Sequence, residues 1–136
     1  MATMTLEQID ACYLAALDVR KEKVVIAKAA GAVHKQTGLD AGSARMYIKA
    51  ALAMLDGTRF TFNISNAGVE RYLERIGNEF GKDAQKRAAQ GILIKFIEEQ
   101  RDNKYLNGAM LVLSKDEVDS FIDGYKANHD IWPLRR

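Results

Sequence analysis

Two cations four residues apart, Arg45 and Lys49, stand in the stretch GLDAGSARMYIKAALAML, with Ser43 just ahead of them. At that spacing on a helix both side chains leave by one face. A guanidinium or ammonium there can bond a guanine edge or a phosphate oxygen. Lys28 and Lys35 precede them. From Arg20 to Lys49 the chain holds seven bases and two acids, an excess of five positive charges in a protein of net charge +2. The remainder is net negative, so the positive charge is local. Such a block can be an electrostatic footprint for phosphate. A solvated helix face fits the same residues, with Ala50 and Ala53 serving helix propensity and Arg45 and Lys49 lying in water.

Other chemistry finds little support. The two histidines, His34 and His129, lie far apart in sequence and outside any ligand motif, so no metal site is expected. No phosphate-cradling GxxxxGK[ST] or GxGxxG occurs, and GxSxG is missing too, so no cofactor is expected. Cys12 is the single cysteine, which rules out an internal disulfide. It falls on an apolar stripe with no basic neighbour at helical spacing, so it reads as a small hydrophobe rather than a nucleophile. The carboxylate pairs Glu70/Glu74 and Asp119/Asp123 flank bases and read as exposed helix faces. A non-enzymatic protein is expected. No run of 18 apolar residues occurs and MATMTLEQID does not have a signal-peptide layout, which points to a cytoplasmic protein without a membrane role.

The elements that must position these residues are helical almost throughout. Ala is abundant, and the single proline is Pro133. Thr5 and Gln8 form a capping box that opens a first helix with Leu6, Ile9, Tyr13 and Leu17 inward. Val24 to Gln36 forms a second, with Val25, Ile26, Ala29 and Val33 inward. Gly38 stops it as a left-handed cap. The third helix buries Ala44, Ile48, Ala51 and Leu55, presents Arg45, Met46, Lys49, Ala50 and Ala53 outward, and ends at Gly57. RFTFNIS alternates apolar and polar residues and reads as extended. Ser65 or Asn66 then caps a fourth helix with Val69, Tyr72, Leu73, Ile76 and Phe80 inward. A fifth spans about Asp83 to Arg101, with Ala88, Ile92, Leu93, Phe96 and Ile97 inward. DNKYLNG reads as a turn and AMLVLS as a short strand. Ser114 and Glu117 form a second capping box for a sixth helix carrying Val118, Phe121, Ile122 and Tyr125. Arg71 and Arg75 read as ordinary surface charge. The tail HDIWPLRR packs through Ile131 and Trp132.

TGLDAGSARMYI resembles the turn and recognition-helix start of bacterial helix-turn-helix regulators. Asp40 can cap, and Ser43 and Ala44 open the helix. Those motifs place a small residue four before the turn glycine, where the helices touch; here His34 stands there, which implies a looser, longer turn. A second resemblance covers more chain. SARMYIKAALAMLDGTRFTFNISNAGVERYLERIGNEFG looks like the helical segment preceding the nuclease domain in McrA-like HNH restriction endonucleases. It spans Ser43 to about Ile97 and is carried by Ser43, Ala44, Tyr47, Met54, Leu55, Gly57, Phe60, Tyr72, Leu73, Ile76, Phe80 and Gly81. No HNH motif is present, so the resemblance implies a recognition or assembly module and no catalytic residue.

The sequence thus predicts one all-α domain over residues 1–136. It is a compact bundle of five to six helices with a helix-turn-helix-like pair and room for a two-stranded β ribbon between FTFNIS and AMLVLS. The expected activity is binding of double-stranded DNA in bacterial or phage regulation or defence. Lys28, Lys35 and Lys49 would meet phosphate, Ser43 would cap or touch backbone, and Arg45 would read a base. The alternative is a protein–protein adaptor or inhibitor, including a homodimer, acting through the Ala-rich third and fifth helices, Met46 or IWPLRR.

Overall fold

The structure, a computed structural model, describes residues 4–22, 24–99 and 104–128. Within them run seven helices: α1 (Leu6–Glu22), α2 (Ile26–Thr37), α3 (Ala41–Asp56), α4 (Asn66–Phe80), α5 (Lys82–Glu99), α6 (Leu106–Val112) and α7 (Lys115–Asn128). No strand occurs among the described residues.

Local chemistry sets most of the boundaries. The Thr5 hydroxyl accepts the Gln8 N–H, and the Gln8 side chain accepts the Thr5 N–H, closing the capping box of α1. Ser114 and Glu117 make the same reciprocal pair ahead of α7. Asp40 caps α3 by accepting the Ser43 N–H, and Ser65 caps α4 by accepting from Gly68. Gly38 and Gly57 end α2 and α3 at φ 79° and 68°, backbone angles that an L side chain resists.

Two helices lie at the centre. α3 packs on α1, α2, α4 and α5, while α5 packs on α3, α4, α6 and α7. α1, α2 and α3 pack mutually, so they form the half of the molecule that carries the basic window. One continuous core runs from Ile9 to Val118, with Tyr13, Ile48, Met54, Phe60, Tyr72 and Ile76 fully covered.

The expected ribbon is absent because residues 109–112 are helical. The first four residues of AMLVLS fall in α6, whose Ala109 faces the core while Met110 and Leu111 face out, a helical rather than a two-residue repeat. Its intended partner, Phe60 to Ile64, is extended but pairs with side chains and a helix. Tyr105 Oη accepts the Ile64 N–H at 2.7 Å and lies 2.6 Å from the Ile64 carbonyl. Tyr47 Oη accepts the Ser65 N–H, and the Gly91 carbonyl of α5 accepts the Phe60 N–H. Buried backbone polar groups must find partners, and here hydroxyls take the place of a second strand.

Candidate nucleic-acid interface

α2 and α3 meet over the three residues Gly38, Leu39 and Asp40. Leu39 is buried and anchors the turn from inside. His34 does not stand between the helices. It is exposed, and its Nδ1 lies 2.8 Å from the Leu39 carbonyl, so the ring folds over the turn. Ala30, 2% exposed, is the small residue that lets α2 approach its neighbours. The turn is therefore shorter and better braced than the bulk of His34 suggests. His129 lies outside the described residues.

Lys28 and Lys35 are exposed on α2, and their seven-residue spacing places them on one stripe. Arg45 and Lys49 are exposed on α3, one turn apart. None of the four forms an ion pair with a described residue. Arg20, Arg59, Arg71 and Arg75, in contrast, each hold a carboxylate: Asp56, Glu98, Asp10 and Glu79 respectively. Lys28 differs from the other three because it borders a groove between α1 and α2 that also holds Asp18 and Glu22. Those acids lower the positive potential around it. Ser43 is half-buried, and it is the Ser43 backbone that donates to the Asp40 carboxylate; Asp40, not Ser43, is the cap.

The outward face of α3 is narrower than its sequence suggests. Ala50 is fully buried and Ala53 half-buried, so the small residues that would have let this helix sit deep against a duplex are core residues instead. Packing on four other helices explains this, because only one edge of α3 is left to solvent. That edge carries Gly42, Arg45, Met46 and Lys49. Alanines of α5 behave likewise: Ala88 and Ala89 are fully covered, so neither Ala-rich helix offers its small face to a partner.

Arg71 and Arg75 are more than surface charge. Arg71 Nε and Nη2 reach the two Asp10 oxygens at 2.8 and 3.0 Å, a two-pronged clamp of α4 onto α1. The Arg71 guanidinium holds the Asp10 carboxyl below its usual value, since it bonds and attracts only the ionised form. Arg75 bonds Glu79 and lies 4.7 Å above the Tyr13 ring. The sequence signal was a pair of arginines at i, i+4, but its partner Asp10 lies 61 residues away.

Reactive groups are sealed or dispersed. Burial pushes the Cys12 thiol up to about 12, which keeps it protonated and inert. Among the described residues, no group of three His, Cys, Asp or Glu side chains could hold a metal ion, and no charged side chain is buried. Among them too, no helix is long and apolar enough to cross a membrane. The chain matches no protein-family model, no curated protein and no solved structure.

Proposed function

We propose that this chain is a non-enzymatic binding module that engages double-stranded DNA along the exposed edge of the α2–α3 pair. One observation carries the reading: Lys35, Arg45 and Lys49 are exposed cations without a carboxylate partner among the described residues. An unpaired cation can release counterions from phosphate on binding; one already held by a carboxylate must first give up that bond. α2 and α3 then act as a helix-turn-helix-like pair. Because Ala50 is buried, contact comes from the edge of α3 rather than from a helix sunk in the groove. Lys35 and Lys49 meet phosphates, and Arg45, in the second turn of α3, reaches for a base edge. The likeness of Ser43 to about Ile97 to the segment preceding the nuclease in McrA-like HNH restriction endonucleases supports a recognition role in bacterial or phage defence or regulation, in a cytoplasmic setting.

The test is fluorescence anisotropy of a labelled duplex across a salt series. Binding should weaken linearly in log salt, with a slope of about −0.9 per phosphate neutralised. Lys35→Ala and Lys49→Ala should each lower that slope in magnitude by about one, whereas Arg45→Ala should cost about 1–3 kcal/mol and relax the sequence preference, all with an unchanged circular dichroism spectrum. No measurable binding at low salt, or a triple variant that binds as tightly as the parent, overturns the proposal.

A further inference from the structure

The solvent edge of α3 carries one side chain that phosphate contacts leave unused. Met46 is 40% exposed there, a large apolar group on an edge otherwise made of cations and glycine. An isolated methionine in water is ordinary on a protein surface. Its neighbours single this one out. Gly42 and Lys49, seven residues apart, lie on one stripe of the helix, and Arg45 and Met46 flank that stripe on its two sides. Helical side chains lean toward the N-terminus, over the turn that precedes them. Arg45 and Met46 therefore both lean over the turn of Gly42, which has no side chain to fill the space between them. The result is a shallow notch floored by Gly42, with a guanidinium on one wall and a thioether on the other.

The floor of the notch disfavours phosphate. A Cβ added at Gly42 would come 3.0 Å from Asp40 Oδ2, so the Asp40 carboxylate borders it. That carboxylate also accepts the Ser43 N–H, one of the donors with which a helix N-terminus would otherwise hold an anion. A phosphate here would meet a like charge, whereas a neutral base edge would not. In the major groove, base edges offer groups that match both walls: guanine O6 and N7 accept the two prongs of an arginine, and the thymine C5-methyl offers apolar contact. Residues i and i+1 of a helix diverge rather than face each other, so the two walls meet neighbouring bases and not one.

We infer that Gly42, Arg45 and Met46 read a guanine with a thymine beside it, Arg45 holding the guanine and Met46 covering the thymine methyl. This rests on the DNA reading above and adds to it the base step that the α3 edge prefers.

Fluorescence anisotropy on repeating duplexes tests it, because a repeat presents the same step in every register and no target site need be known. Alternating thymine–guanine repeats, paired with cytosine–adenine repeats, carry the step; the same duplex with uracil for thymine lacks only the methyl. The parent should bind the thymine–guanine duplex about fourfold more tightly than the uracil–guanine one, the value of burying one methyl-sized group. Met46→Ala should bind the two alike, and Met46→Leu should keep the preference. An alternating thymine–adenine duplex has the methyl without the guanine. The parent should bind it about fivefold or more weakly than the thymine–guanine duplex, and Arg45→Ala should close that gap. Binding to none of these duplexes at low salt overturns the DNA reading and this inference with it. Salt-dependent binding without a methyl preference in the parent overturns the inference alone. So does a methyl preference that Met46→Ala retains, or a guanine preference that Arg45→Ala retains.

Discussion

Gly91 lies in the interior of α5, where glycine normally costs a helix stability. Replacing an interior helical glycine by alanine usually gains about 1 kcal/mol. Here the opposite is expected. A Cβ built on Gly91 overlaps the Thr58 carbonyl oxygen and comes within 3.2 Å of the Thr58 carbonyl carbon. Both atoms are backbone, so no side chain can swing aside. The Gly57–Phe60 loop would have to lift away from α5, and it is held there by the Phe60 N–H, which donates to the Gly91 carbonyl at 3.1 Å. Lifting it also disturbs Phe60, which is 1% exposed and stacks edge-on to Tyr105. Overpacking costs about 1–3 kcal/mol, and a buried donor left unpaired costs about 1–3 kcal/mol more. Set against the gain in propensity, Gly91→Ala should destabilise the protein by about 1–5 kcal/mol, centred on roughly 3 kcal/mol. That is a large share of the roughly 5–15 kcal/mol that holds a domain together. Urea denaturation followed by circular dichroism measures it as a fall in midpoint of about 1–2 M. Gly31→Ala is the matched control. Gly31 is also helical, and nothing lies within 4 Å of its added Cβ, so it should gain about 0.5–1 kcal/mol. If Gly91→Ala proves as stable as the parent, the close approach of loop and helix is wrong, and with it the seating of Phe60.

Three other perturbations probe the packing around this core. Tyr105→Phe removes the hydroxyl that accepts the Ile64 N–H, and should cost about 1–3 kcal/mol in the same urea assay; a neutral result would mean that the extended segment is secured some other way. Tyr13 is fully buried, and its hydroxyl finds no hydrogen-bond partner among the described residues, so Tyr13→Phe should leave stability unchanged or raise it by about 1 kcal/mol, and a clear loss would reveal a bond at that oxygen. Asp10 and Glu117 both have folded-state values below the ordinary carboxylate range. Arg71 depresses the first, while Lys86 and the Ser114 N–H bring the second down to about 2. Each therefore stabilises the fold fully above the unfolded-state value and loses that contribution as pH falls through the folded one, from about 4.5 down to about 2 for Glu117. Asp10→Asn should flatten part of the acid limb of a stability–pH curve, and an unaltered limb would refute the Arg71 clamp.

The functional proposals divide along the same line as the structure. Basic residues of α2 and α3 were legible as a charge block, because charge is a property of composition. Their availability was not legible, since it depends on where the carboxylates of other helices end up. Lys28 shows this most directly: its sequence neighbours leave it a free cation, but the fold brings Asp18 and Glu22 of α1 to the same groove. Phe80 shows the converse. Its place in the α4 stripe predicts burial, and the fold leaves it half in water, at the end of a groove lined by Leu14, Leu17 and Lys21 of α1.

What the sequence determined by itself is the helical character and most of its punctuation. Thr5 with Gln8, Ser114 with Glu117, and Gly38 and Gly57 act on groups within a few residues of themselves, so their effect is the same in almost any fold. What the tertiary structure decided is every choice between two locally acceptable states. LNGAMLV became helix because Ala109 and Gly108 could be buried against the core in that form. Ala50 went inward because α3 was enclosed by four helices, and the Phe60–Ile64 segment stayed single because Tyr105, 41 residues on from Ile64, supplied its hydrogen bonds. Local hydrogen bonds discriminate between backbone conformations over one turn; only the burial of shared apolar surface between distant segments discriminates between the faces of a finished helix.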